Sequence, residues 1–361
     1  MKFLIVSALV GILIFIGFLY LFKNLSFDPE PPKISFKPFK SSVGEVFNPE
    51  SPSLKKIFSQ DHQWIATLSA GKIRTLKATG DVILARSVNY KTVQNRNFGW
   101  PFEKTDEFLK NADIAFINLE SPLVKNCPVT NTGMIFCGDE RNIEGLLAAG
   151  VDVASLANNH AGNYGFDGIK NTINLLNSSE ILTTGVNGPI FKKIRGLRFA
   201  FLGYNDIGHE EKGISWAANN KVAEGIKTTR SQADIIIIAF HWGTEYTGQP
   251  NTRQKELAHL AINSGADLVI GNHPHWIQPV EIYKGKLITY AHGNFVFDQE
   301  WSQKTKEGVV GIYTFYDKQL IDVEFLPVEI ADYGQPYFLE NEKKNLILKE
   351  MKNESLKLSE Q

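Results

Sequence analysis

Asn272-His273-Pro274-His275 places two imidazoles one proline apart, in a turn where Pro274 fixes φ and stiffens the loop. The turn follows Ala266–Ile270, a short run rich in branched residues between Gly265 and Gly271, which reads as a buried strand. A lone histidine there is usually a satisfied loop residue, whereas a His-Pro-His turn at the carboxyl end of a strand is a metal-site pattern. Similar groups recur along the chain. Asp81 follows Arg74–Thr79, Glu120 follows Ile114–Asn118, Asn158-Asn159-His160 follow Val153–Ala157, and His241 follows Ile235–Phe240. A further strand, Lys286–Ala291, runs into His292-Gly293-Asn294. Each group alone has a plain structural explanation: Asp81 as a helix cap, Glu120 as a partner for a lysine, His241 packed on Trp242. Together, five strand ends delivering carboxylate, amide or imidazole predict convergence at one edge of a largely parallel sheet. Oxygen and nitrogen donors without thiolates suit a divalent transition metal (Mn, Zn or Fe), as one or two ions, rather than calcium.

The elements that must position these groups alternate. Besides the strands above, Phe199–Gly203 and Leu268–Ile270 read as strands, and Lys104–Asn111, Ile143–Ala149, Gly168–Leu176, Val222–Ser231 and Thr252–Ser264 as helices. That alternation predicts an α/β domain over 71–335. Its end is expected to be antiparallel, with Gly308–Tyr316 and Leu320–Val328 forming a hairpin around Asp317-Lys318. Asn341–Leu358, in the charged tail 336–361, reads as a helix that docks or stays solvated, and Lys55–Leu68 as a short helix at the domain entrance.

Composition bounds the rest. The chain has 361 residues, 43% of them hydrophobic, which is enough for a large core. A net charge of −1 and no basic run interleaved with aromatics argue against a nucleic-acid surface. Phe3–Phe22 carries no charged residue and as a helix would span roughly 30 Å, the thickness of a bilayer core. Segment 1–24 is therefore read as an uncleaved transmembrane anchor; a cleaved signal is the rival, although Gly17–Phe22 offers no small-residue cleavage site. Segment 25–70 holds Pro29, Pro31, Pro32, Pro38, Pro49 and Pro52 and is a spacer with an entrance segment. The two cysteines, Cys127 and Cys137, would close a small loop after Glu120 as a disulfide if the domain faces an oxidising space, or remain free thiols in a cytosolic one.

The series GDVILAR, INLESPL, LANNHAGNYGFDG, HWGTEY and VIGNHPHWIQPVEIYKGKLITYAHGNFVFD resembles the CapA family of poly-γ-glutamate capsule proteins over roughly Leu76–Gln299. That family is similar to the calcineurin-like metallophosphoesterases, which implies an α/β fold, a four-layer αββα metallophosphoesterase-like sandwich with a two-metal site on its loops. By this resemblance Asp81, Glu120 and His275 would hold one ion, and Glu120 as a bridge with Asn159, His241 and His273 the other. His160 would be the proton donor or oxyanion stabiliser, and Arg86 and Glu245 would line the pocket. The chain departs from the pattern at Ile83, where the phosphoesterases have a histidine, and at Asn163, Asn272 and His292, where the family usually has aspartate, histidine and leucine.

Three functions are consistent with these residues. One is a membrane-anchored protein of capsule or poly-γ-glutamate biosynthesis or export, working through a metal-dependent hydrolase-type site. Another is a non-catalytic component of the same machinery, keeping the pocket to bind an anionic polymer. The third is a tethered phosphoesterase unrelated to capsule. The expected partners are an anionic polymer such as poly-γ-glutamate, membrane proteins of a synthesis or export complex, and the bilayer; no nucleic acid is expected. The domain is expected outside the cytoplasm at the cell membrane.

Overall fold

The computed structural model describes residues 50–59 and 61–360. Its layers follow from the parity of its strands. Ile235–His241 is buried along its whole length, so both faces must be covered. Ile235, Ile237 and Ala239 enter one hydrophobic cluster, together with Leu76, Phe116 and Val153 of a different sheet. Ile236, Ile238 and Phe240 point the other way, onto Val222 and Ile226 of the helix Asn219–Arg230 and Leu257 and Ala261 of the helix Thr252–Ser264. The other sheet repeats the device. Phe116 faces Phe201 across the sandwich, with ring centroids 5.8 Å apart, whereas Ile117 and Leu119 pack on Leu146, Ile169 and Leu176 from outer helices. Helix, sheet, sheet and helix thus form four layers, and truncating an inter-sheet side chain such as Ile237 to alanine would cost ~2–5 kcal/mol.

In the first sheet Ile73–Val82, Ile114–Leu119, Val153–Ser155 and Leu182–Thr184 run parallel. Glu307–Tyr316, Gln319–Ala331 and Gln335–Phe338 extend it antiparallel from the other side of Ile73–Val82. In the second, Leu197–Asn205, Ile235–His241, Leu268–Asn272 and Lys286–Thr289 are parallel, with Ile190–Ile194 and Val280–Tyr283 antiparallel at the edges. After Lys286–Thr289 the chain leaves the second sheet, and Asn294–Val296 pairs in the first beside Ile73–Val82. Gly80 permits this approach, because a Cβ there would lie 2.2 Å from the Gly293 carbonyl oxygen.

The strand pattern alone reads as one largely parallel sheet, whereas the four-layer sandwich implied by the resemblance has two, as found; the strand ends meet because both sheets present their carboxyl ends to the same edge of the sandwich. Other expectations need correction. The entrance helix is two pieces, Leu54–Ile57 and a 3-10 turn Gln63–Thr67, broken where His62 turns aside to bind Asp322. The boundary drawn at residue 335 falls within the strand Gln335–Phe338, and the helix Asn341–Ser359 buries Met351 and Leu358 against the core. The membrane helix expected over Phe3–Phe22 lies outside the described residues. Among the described residues no helix is long and apolar enough to cross a membrane.

Cys127 and Cys137 are disulfide-bonded, with Cα atoms 5.9 Å apart. Replacing both by serine is expected to lower stability by about 3 kcal/mol on the loop-entropy estimate, read as a shift of the denaturant midpoint without a change in slope. A second expectation concerns His62. Its hydrogen bond to Asp322 raises the imidazole above its usual range despite partial burial. The stabilisation is therefore full below the unfolded value near 6.5 and lost as pH rises through the folded one. Thermal melts of His62→Ala should show a larger deficit at pH 5.5 than at pH 9.

Candidate metal centre

The first sheet contributes Asp81 near the end of Ile73–Val82, Glu120 just past Ile114–Leu119, and Asn158–His160 beyond Val153–Ser155. The second contributes His241 as the last residue of Ile235–His241, then His273 and His275 after Leu268–Asn272. His241 and Asn272 are in register, which sets the His-Pro-His turn directly beside His241. That turn is wound tightly: His273 and His275 hold φ of 99° and 58°, in the left-handed region that costs a residue with a Cβ. The Pro274 carbonyl accepts the Tyr246 N–H at 2.8 Å and ties the turn to the loop after His241.

Side chains from both sheets meet in a buried knot. His241 Nε2 lies 2.8 Å from Asn159 Oδ1, 3.1 Å from His273 Nδ1 and 3.4 Å from Glu120 Oε1. Asp81 Oδ2 contacts His275 Nδ1 at 3.0 Å, and His275 Nε2 is 4.0 Å from Glu120 Oε1. The ligand atoms of Asp81, Glu120 and His241 all lie within 4.8 Å of one another, as do those of Glu120, His273 and His275, so Glu120 is common to both groups. Both Glu120 carboxylate oxygens are buried and accept no hydrogen bond. A carboxylate so placed is strongly disfavoured unless a cation meets it. Nitrogen and oxygen ligands at 2.0–2.2 Å from a tetrahedral ion stand about 3.3–3.6 Å apart; the 3.4 Å spacing of His241 and Glu120 falls in that range, and the His241 contacts to Asn159 and His273 are shorter. The donor set therefore fits a divalent transition ion.

The electrostatics carry the same stamp. Burial, and then the neighbouring Asp81 charge, push the Glu120 carboxyl well above its usual range. Burial works to raise Asp81, but the hydrogen bond and charge of His275 outweigh it and hold the carboxyl low. Burial would lower His275, but Glu120 and Asp81 raise it to about 9. Burial pushes His241 down to about 3, and burial with the His241 charge takes His273 well below its usual range.

The residues around the knot divide into those expected and those the sequence concealed. His160 is buried, stacks on Phe136 with centroids 4.1 Å apart, and bonds Asn163 Oδ1 through Nδ1 at 3.0 Å. Asn163 thus orients His160 without the charge of an aspartate. Glu245 is half-buried, and its charge acts on Glu120, His241, His275 and His160. Arg86 reaches the border of the site through Phe136, which stacks on His160. Its guanidinium is ion-paired with Asp298 and sits 4.9 Å from the rings of both Phe136 and Phe297. Ile83 lies in that same apolar cluster with Phe136 and Phe297 and offers no ligand. His292 is wholly buried between the Thr79 carbonyl and the Tyr313 hydroxyl, a structural role.

Asn118, Asn158 and Asn294 were not singled out as site residues. Asn118 Nδ2 donates to Asp81 at 2.8 Å and lies 3.3 Å from His241, joining the two sheets. Asn158 Oδ1 accepts the backbone N–H groups of His160 and Ala161, winding the turn that presents Asn159. Asn294 Oδ1 contacts His275 Nδ1 at 2.9 Å. An asparagine closing an otherwise apolar strand, as Asn118 does in Ile114–Leu119, was the available signal.

The chain belongs to the bacterial capsule synthesis protein family PGA_cap, whose sequence pattern matches residues 75–299. It is 30% identical over 285 residues to the capsule biosynthesis protein CapA of Bacillus anthracis, covering 73% of this chain and 68% of that protein. It is 26% identical over 358 residues to the PGA biosynthesis protein CapA of Bacillus subtilis (strain 168), covering 92% and 93%. Among solved structures, one described as a novel phosphatase from Mycoplasma pneumoniae aligns with a TM-score of 0.47 at 13% identity, covering 71% of this chain and 94% of that one.

Glu120→Gln separates the charge from its counter-ion. In the metal-free protein Glu120 favours its protonated form, so it detracts from stability as pH rises above the unfolded value near 4.5. The glutamine variant should therefore melt higher than wild type without metal at pH 7. Wild type should gain roughly 5 °C at a hundredfold excess of Mn²⁺ over its Kd, and the variant should gain almost nothing. Because ligation requires Glu120 ionised and His275 unprotonated, loading at pH 7 should release protons; calorimetry in buffers of differing ionisation enthalpy reads this.

Proposed function

We propose that this chain works in the biosynthesis or export of an anionic capsule polymer of the poly-γ-glutamate type, through a divalent-metal site of hydrolase or transferase class. Family membership and the similarity to the CapA proteins of Bacillus anthracis and Bacillus subtilis support the polymer. The single observation supporting chemistry is Glu120, a buried carboxylate with both oxygens unpaired among three imidazoles. Asp81, Glu120 and His275 would hold one ion, and Glu120, Asn159, His241 and His273 the other. When bound, a divalent ion supplies Lewis acidity toward the reacting group of the substrate.

The protein's own contribution centres on His160. Asn163 Oδ1 accepts the Phe136 backbone N–H at 2.7 Å, which assigns that atom as oxygen. His160 Nδ1, facing the same oxygen, therefore donates, and Nε2 carries the lone pair. Burial lowers the imidazole to about 4, so at neutral pH Nε2 accepts a proton first and returns it to the leaving group afterwards. Phe136 holds the ring flat against its own, and Glu245 adds negative charge that favours the protonated intermediate state of His160.

A second reading, a binding component without turnover, is favoured by Ile83, which lies in an apolar cluster where the resemblance to the phosphoesterases implies a histidine. In either reading the domain stands outside the cytoplasm, tethered by Phe3–Phe22; the Cys127–Cys137 disulfide supports an oxidising compartment. Assay of the metal-loaded protein on γ-glutamyl peptides and on generic phosphoesters separates the possibilities. Cleavage or transfer of γ-glutamyl bonds supports the first. Turnover of phosphoesters alone supports a tethered phosphoesterase, and no turnover with retained polymer binding supports the second. His160→Ala should keep its metal and lose 10²–10⁴-fold in rate, with Asn163→Ala intermediate.

A further inference from the structure

The three most exposed large apolar side chains among the described residues are Ile135 at 71%, Met134 at 66% and Trp301 at 61%. They stand on two loops that are far apart in sequence and joined by Arg86. Met134 and Ile135 crown the loop closed by the Cys127–Cys137 disulfide, and Trp301 lies three residues beyond Asp298. Arg86 pins the two loops together: it donates to the Gly133 carbonyl, pairs with Asp298, and lies over Phe136 and Phe297. Phe136 and Phe297 in turn meet edge to face at 5.9 Å. These side chains are held out by a stiff frame. The frame borders the metal centre, since Phe136 stacks on His160, Phe297 lies 5.3 Å from the His275 ring, and Trp301 packs on Tyr246, itself 6.1 Å from His275.

We infer that this rim is a lipid-docking lip, which rests the mouth of the metal centre on the surface of the bilayer that holds the N-terminal anchor. The observations favour lipid over a protein partner. Isolated protruding tips of tryptophan, methionine and isoleucine suit insertion among headgroups, where the amphipathic indole is at home. The segment Lys125–Cys137 carries one lysine and no acidic residue, so it meets no repulsion from an anionic leaflet. The chain between the apolar run and the folded unit permits the pose: Lys23–Asn48 can reach at most roughly 90 Å, against a width of roughly 50 Å for a folded body of this size. The inference rests on the anchor reading but not on catalysis. The substrate would then be met at the membrane surface, as a nascent chain emerging there or a lipid-borne one.

The test uses the full chain reconstituted into phosphatidylglycerol–phosphatidylethanolamine vesicles, with Trp301→Phe measured alongside to isolate the Trp301 emission. Brominated acyl chains should quench that emission, and aqueous acrylamide should lose its hold on it relative to the detergent-solubilised protein. Met134→Ser/Ile135→Ser keeps Trp301 and the disulfide, and should restore acrylamide quenching while leaving the near-ultraviolet circular dichroism unchanged. A chain that floats with the vesicles but keeps Trp301 open to acrylamide overturns the lip alone. A chain that does not float overturns the anchor and the lip together. Acrylamide shielding that is already present in detergent and grows with protein concentration assigns the rim to a second copy and overturns the inference.

Discussion

A carboxylate in a dry interior without a hydrogen bond is among the least favourable arrangements a fold can keep, and Glu120 is one. The rest of the site is built around that cost. Asp81 is paired with His275, and Asn118 bridges Asp81 toward His241, but Glu120 is offered only weak or distant contacts at 3.4 and 4.0 Å. Without a cation, burial disfavours the charge on Glu120 and keeps His241 and His273 unprotonated. A bound cation would favour the ionised carboxylate and neutral imidazoles, so metal affinity would be coupled to proton release through the burial that makes the site costly.

The sandwich exists in the form it does so that two sheets can share that charge. Neither sheet alone has the ligands: the first supplies the carboxylates and Asn159, the second the imidazoles. The crossing of the chain from Lys286–Thr289 to Asn294–Val296, made close by Gly80, locks the two sheets together beside Asp81, and it carries Asn294 to His275. The strained His273 and His275 backbones are held by Tyr246 and by the strand behind them, so the site is preorganised from both sides.

Much of this was legible in the chain. Strand cores such as Ile235–His241 and the helix Thr252–Ser264, with its Asn251 capping box and Gly265 stop, announce themselves by apolar runs and caps. The ligand residues stand out because polar groups directly after buried runs have few reasons to be there. What could not be read is what depends on pairing between distant segments. Periodicity places residues on faces but does not say which sheet a strand joins, so the strand pattern alone reads as one sheet and only the resemblance implies two. Asn118 reads as a strand terminus, and its contact with His241 depends on the other sheet. The resemblance places Arg86 at the pocket, but its partner Asp298 is hidden by sequence distance. Asn163 stands where the family usually has aspartate, and its amide oxygen, fixed by the Phe136 N–H, faces His160 Nδ1.

The most direct test of the metal account is an anomalous difference map from crystals of protein purified without chelator and supplied with Mn²⁺, recorded where the manganese signal is largest. The account predicts one or two peaks bonded to Glu120, with His241 and His273 on one side and Asp81 and His275 on the other. An ordered Glu120 pocket with no peak, in protein shown to be saturated with Mn²⁺ or carrying its ion at other residues, would contradict it.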